Sequence, residues 1–171
     1  MMWIVAASIA LISGFGMAVA LTPRRVEYVE HTDINANPQS VYNAVRRQDT
    51  LMQWSAWPAE TGSDCRVEGD KRGRVFGRQE VLSLEENRLV SLSVESKGPP
   101  QATRLTILLT PLDEGRTRAL LHFENRLAPP FHLILRLAGV VRWTREMHVK
   151  DLAGLKRWCE TAQPTARTDA T

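Results

Sequence analysis

Residues 131–163 read FHLILRLAGVVRWTREMHVKDLAGLKRWCETAQ. No proline interrupts the stretch before Pro164, and its apolar residues recur three and four positions apart. Leu137, Val141, Thr144, His148, Leu152, Leu155 and Cys159 fall along one face, so the spacing predicts a long helix that closes the chain. A helix with one apolar stripe must bury it against something, and the preceding residues say what. GRTRALLHFENRL (115–127) carries Ala119, Leu121 and Phe123 on one face at period two, and RLVSLSVES (88–96) alternates Leu92 and Val94 with Ser91 and Ser93. Between them ATRLTILLTPLDEG (102–115) ends in a turn at Asp113-Glu114-Gly115, and Pro129-Pro130 stops the pattern.

Further back, CRVEGD (65–70) and GRVFGRQEVLSLEEN (73–87) flank a turn at Lys71-Arg72-Gly73, and Gly69–Gly73 reads as a hairpin. RRVEYVEHTDI (24–34) places Val26, Tyr28 and Ile34 in one parity, the mark of a half-exposed strand. In NANPQSVYNAVRR (35–47), Asn37 is a suitable N-cap and Pro38 a suitable first helical residue, with Val41, Tyr42 and Val45 on one side. A second short helical turn, DTLMQW (49–54), runs into LMQWSAWP (51–58), where two of the chain's five tryptophans lie three residues apart. Indole rings at such a junction close a core or line a cavity.

The element order is strand, two short helices, antiparallel strands, long C-terminal helix. It resembles the START-like (SRPBCC) superfamily, in particular its polyketide cyclase/dehydrase and lipid-transport branch. INANPQSVYNAV (34–45) is similar to the family's strand running into a proline-led helix, DTLMQWSAWP (49–58) to its tryptophan stretch, and DLAGLKRWCE (151–160) to its closing helix. The family often has proline before the second tryptophan, whereas Pro58 follows Trp57 here. The resemblance implies an α+β helix-grip fold, a curved antiparallel sheet wrapped around the long C-terminal helix, with an elongated cavity between them. The cavity would be lined by Trp54, Trp57, Phe76, Leu92, Val94, Leu105, Ile107, Leu121 and Phe123, and by Val141, Thr144 and His148 from the helix. Plain core packing is the competing role for each of them. Thr144 and His148 stand out because a buried hydroxyl or imidazole needs a partner, from the backbone or from a ligand.

WIVAASIALISGFGMAVAL (3–21) carries no charge. At 1.5 Å per residue it spans about 28 Å, close to the bilayer core of about 30 Å. Arg24-Arg25 follows it directly, which by the positive-inside rule leaves the bulk of the chain in the cytoplasm. Ala18-Val19-Ala20 has the small-x-small shape of a signal cleavage site, so export after cleavage is the rival reading. The expected domains are a transmembrane anchor at 1–22, the helix-grip domain at 23–162 and a disordered tail at 163–171.

Composition sets further bounds. A net charge of +3 with scattered arginines and no basic block argues against nucleic acid as a partner. Cys65 and Cys159 have neither CxxC nor Cys/His spacing, so both read as free thiols and no metal or cofactor is expected. The four histidines, His31, His122, His132 and His148, form no HExxH pattern, and Walker, Rossmann and GxSxG motifs are missing. The expected function is binding of a hydrophobic small molecule or lipid. The alternatives are a cyclase/dehydratase-like enzyme, with His148 beside Asp151 or Arg142 as acid–base groups, and a protein-interaction module. His148 and Asp151, at i and i+3, also suit a simple pair on the helix surface. The segment 129–143, apolar around much of its circumference and rich in arginine, is expected to pack under the sheet, touch an anionic bilayer or gate the cavity mouth.

Overall fold

The computed structural model describes residues 2–57, 66–67, 77–96, 101–113 and 115–161. Helix α1 (Met2–Leu21) leads into β1 (Arg25–Ile34), α2 (Pro38–Arg46) and α3 (Gln48–Trp54). The strands β2 (Arg66–Val67), β3 (Gly77–Glu85), β4 (Leu89–Ser96), β5 (Gln101–Asp113) and β6 (Arg116–Leu127) follow, then α4 (Phe131–Leu137) and α5 (Val140–Thr161). The sheet order is β1-β6-β5-β4-β3-β2, so the first strand lies beside the last and closes one edge. All neighbours are antiparallel except β2 and β3, which pair in parallel through Arg66–Arg78 and Val67–Gln79. Together with α5 this is the helix-grip α+β fold.

Local chemistry accounts for the elements. Asn37 Oδ1 accepts the Ser40 N–H at 2.8 Å and Pro38 starts α2, a capped entry that turns the chain sharply out of β1. Asn87 takes φ 57° in the β3–β4 turn, a conformation asparagine tolerates better than most residues. Gly115 N–H bonds Asp113 Oδ1 at the β5–β6 turn. The period-two strands bury the residues their parity selects: Val26 and Ile34 on β1, Ile107 and Leu109 on β5, and Ala119, Leu121, Phe123 and Leu127 on β6. From α5, Leu152, Leu155 and Cys159 meet them, with Val41, Tyr42 and Val45 of α2 across the end.

Three expectations need correction. The C-terminal helix is not continuous from residue 131: Gly139 takes φ 74°, and α4 ends there with Ala138 N–H on Ile134 O and Gly139 N–H on Arg136 O. A left-handed glycine after a helix gives the chain a new direction without a Cβ clash. Leu137, placed on the inner face by spacing alone, is therefore 80% exposed. The strand before Gly69–Gly73 is likewise not an antiparallel arm of β3, since β2 runs parallel to it. The turn itself, Cys65, Phe76 and the tail 163–171 lie outside the described residues.

Gly154 explains how α3 reaches α5. A Cβ at that position would stand 2.0 Å from the Trp54 carbonyl oxygen, so only glycine lets the end of α3 rest on the helix.

Candidate functional site

Between the sheet and α5 lies a cavity of about 290 Å³. That is near the lower end of small-molecule pockets, which begin at about 300 Å³. Of the predicted residues, Trp54, Trp57, Leu92, Val94, Leu105, Ile107, Leu121, Phe123, Val141, Thr144 and His148 all line this one space. Phe76 lies outside the described residues. Sequence reasoning missed Val26, Val45, Leu51, Leu127, Leu135, Val140, Trp143, Leu152 and Leu155, along with the polar lining of Ser55, Gln101, Thr103, Asn125 and Asp151. Strand register carried a signal for part of that set. Thr103 and Asn125 are paired neighbours and share parity with Leu105 and Phe123, which were named.

The two tryptophans have different surroundings. Trp54 is 7% exposed and donates its indole N–H to Ala44 O at 3.1 Å, tying α3 to α2 while one side of the ring walls the cavity. Trp57 is half-buried and meets the edge of Trp143 with ring centroids 5.3 Å apart. It also lies 5.9 Å from the His148 ring, which sits 4.9 Å from Phe123, itself stacked on Tyr28 at 4.9 Å. An aromatic ladder thus runs from the α3–β2 loop across α5 to β6 and β1.

His148 and Asp151 do not pair on the helix surface; both are buried and each has its own partner. His148 Nδ1 is 2.9 Å from the Tyr28 hydroxyl, and this is the ring's sole hydrogen bond among the described residues. Burial pushes the imidazole down to about 4, so it is neutral at pH 7, and burial raises the Tyr28 hydroxyl well above its ordinary value. Asp151 Oδ1 accepts the Ser55 hydroxyl at 2.9 Å and the Ala56 N–H at 2.8 Å. Burial lifts this carboxyl to about 6, against the lowering effect of those donors and of the Trp57 side chain. Arg142, the other suggested partner of His148, is bonded to Glu146 on the exposed side of α5. Thr144 returns its hydroxyl to Val140 O at 2.9 Å, a satisfied backbone contact.

The cavity has a graded interior. At the end of the sheet where β5 begins and β6 ends, Asn125 donates to Gln101 Oε1 at 3.1 Å, while its buried Oδ1 has no partner among the described residues. Toward the other end Ile107, Leu121 and Val45 make the wall apolar. Elsewhere, Glu27, His122 and Glu124 bring ligand atoms within 4.8 Å of one another on the outer face, but Arg25 already pairs with both carboxylates and His122 with Glu27.

The family model for activator of Hsp90 ATPase homolog 1-like proteins matches residues 35–130, more than half of the chain. The chain belongs to that family. No curated protein matches the sequence. Among solved structures, a conserved protein from Geobacillus kaustophilus aligns with TM-score 0.60 at 13% identity, over 80% of this chain and 97% of the other. A Thalictrum norcoclaurine synthase point mutant, in complex with a transition state analogue, aligns at 0.56 and 8% identity over 82% and 97%. The di-domain ARO/CYC StfQ of the steffimycin biosynthetic pathway aligns at 0.55 and 11% over 81% of this chain and 51% of its own. The family match agrees with the START-like resemblance of the sequence, and these likenesses show that the chain shares the fold of those proteins.

Proposed function

We propose that residues 23–162 form a domain that binds an apolar small molecule or lipid between the sheet and α5, held to a membrane by residues 1–22 with the domain on the cytoplasmic side. The observation that carries the reading is the cavity itself. It is walled mainly by leucine, valine, isoleucine and aromatic side chains, yet its lining includes Asn125, whose buried Oδ1 has no partner among the described residues, and the His148 ring, bonded through Nδ1 alone. Apolar walls reward an apolar body at about 25 cal/mol per Å² buried. Around Asn125 and the neutral His148 ring the lining favours a ligand with a neutral hydroxyl, amide or carbonyl, because neither side chain offers a full charge. α1 is long and apolar enough to cross a bilayer, although a signal sequence meets the same criteria.

Native mass spectrometry of the full chain released from detergent tests this reading. An adduct of discrete mass, lost on Leu92→Trp filling of the cavity while the far-ultraviolet spectrum is unchanged, is the expected result. A wild-type spectrum free of adducts, even after incubation with long-chain alcohols, would overturn it.

A second reading, an acid–base enzyme on an apolar substrate, draws support from Asp151, whose carboxyl at about 6 lines the same cavity. A bell-shaped or sigmoidal rate profile with an inflection near that value, abolished in Asp151→Asn, would favour it over simple binding.

A further inference from the structure

We infer that α4 is an interfacial helix that rests on the bilayer surface and turns the polar end of the cavity toward the membrane, so that the ligand exchanges directly with lipid. This rests on the anchor and cavity reading proposed above.

The first observation is where α4 is fixed. His132, fully buried, is bonded through Nε2 to the Val19 carbonyl at 2.8 Å, and Arg136 Nη2 reaches Arg25 O at 3.0 Å. Val19 lies two residues before the end of α1, a rise of about 3 Å. Whatever plane the end of α1 occupies, α4 occupies too. A helix of about 20 apolar residues that spans the hydrocarbon therefore leaves α4 at the headgroup boundary.

The second observation is the face α4 presents there. His132 and Leu135 turn inward, and Leu135 lines the cavity. Phe131, Ile134 and Leu137, at i, i+3 and i+6, are 37%, 46% and 80% exposed, with Trp143 of α5 close by in sequence at 38%. Isolated exposed leucines are ordinary, but a stripe of three on one seven-residue helix is not.

The third observation is charge. Arg24 and Arg126 are exposed at the strand ends beside the root of α1, without an ion pair among the described residues. Their neighbour Arg25 is neutralised by Glu27 and Glu124. Free cations flanking an apolar stripe complement anionic headgroups over acyl chains. The register puts Gln101, Asn125 and Leu127, the polar end of the cavity, at this same end of the sheet.

The test uses the full chain reconstituted in phosphatidylcholine vesicles containing phosphatidylglycerol. With Cys65 replaced by serine and Cys159 buried, a polarity-sensitive fluorophore is attached at Leu137→Cys, or at Glu86→Cys in the turn at the far end of the sheet. Nitroxide-labelled lipid is expected to quench the first and spare the second. Equal quenching, or a Leu137→Cys signal explained by cross-linking between two copies, would overturn the inference. A paired Ile134→Asp, Leu137→Asp variant should load an apolar fluorescent fatty alcohol about tenfold more slowly from vesicles, with loading from cyclodextrin unchanged. A variant slowed equally from both donors would place these residues in the cavity mechanism instead and refute docking. Wild-type protein that fails to load from cyclodextrin would remove the cavity reading alone, since quenching at residue 137 reports on the membrane contact independently.

Discussion

Asp151→Asn separates two titrations that oppose each other in the native protein. Folding raises the Asp151 carboxyl from 3.8 to about 6, so this group favours the folded state below pH 3.8 and loses that contribution as pH rises through 6. Folding lowers His148 from 6.5 to about 4, so its contribution is absent in acid and appears as pH rises toward 6.5. Each shift spans about two pH units, and at about 1.4 kcal/mol per unit each is worth about 3 kcal/mol. Between pH 4 and 6 the two slopes have opposite sign and nearly cancel. Asparagine keeps an oxygen for the Ser55 hydroxyl and the Ala56 N–H and removes only the proton equilibrium. The stability of Asp151→Asn relative to wild type should therefore increase by about 3 kcal/mol from pH 4 to pH 7. His148→Gln should show the complementary pattern, with stability falling as pH rises over the same interval. Equilibrium denaturation of the full chain in mild detergent at matched pH values measures this. Taking differences between variants cancels Asp33, Asp113 and Glu124, whose carboxyls neighbouring arginines hold low. A difference that does not change with pH would refute the assignment of both shifts to burial in this cavity.

Three further outcomes follow from the same geometry. Gly154→Ala should destabilise the fold by about 3 kcal/mol, because the clash with the Trp54 carbonyl outweighs the gain of about 1 kcal/mol in helix propensity; a melting temperature at or above wild type would contradict the close approach. Cys159, whose thiol burial pushes up to about 12, should resist iodoacetamide at pH 8 in the native protein and react once denaturant is added, as read by mass shift. His148→Ala should shorten the residence of a bound ligand more than it lowers the melting temperature, since the imidazole itself lines the cavity; equal losses would make the residue purely architectural.

What could be read from the chain is whatever depends on local period. The inward set of β6 and the Leu152–Leu155–Cys159 stripe of α5 follow from spacings of two and of three to four, and both are buried. The cap at Asn37 was legible because side chain and target lie three residues apart. What failed depends on contacts between distant residues. Ala138-Gly139 resembles the interior of any tolerant helix, and nothing near it in sequence says that α4 must swing to meet Val19, more than a hundred residues earlier. Asp151 looked like a surface partner for His148 because its true donors, Ser55 and Ala56, arrive from 96 and 95 residues away. They do so only because Gly154 lets the end of α3 settle on α5. The polar end of the cavity escaped notice for a different reason: Gln101, Thr103 and Asn125 continue an apolar face with polar residues, which a hydrophobic pattern discards.

Photolabelling the full chain with a diazirine-bearing long-chain alcohol, then mapping the modified residues by mass spectrometry, tests most directly whether the space between sheet and helix holds an apolar guest. The predicted result is label on Leu92, Ile107, Phe123, Val141 and His148, suppressed by excess unlabelled alcohol. Label confined to α1 and the outer face of α4, with none on those five residues, would contradict it.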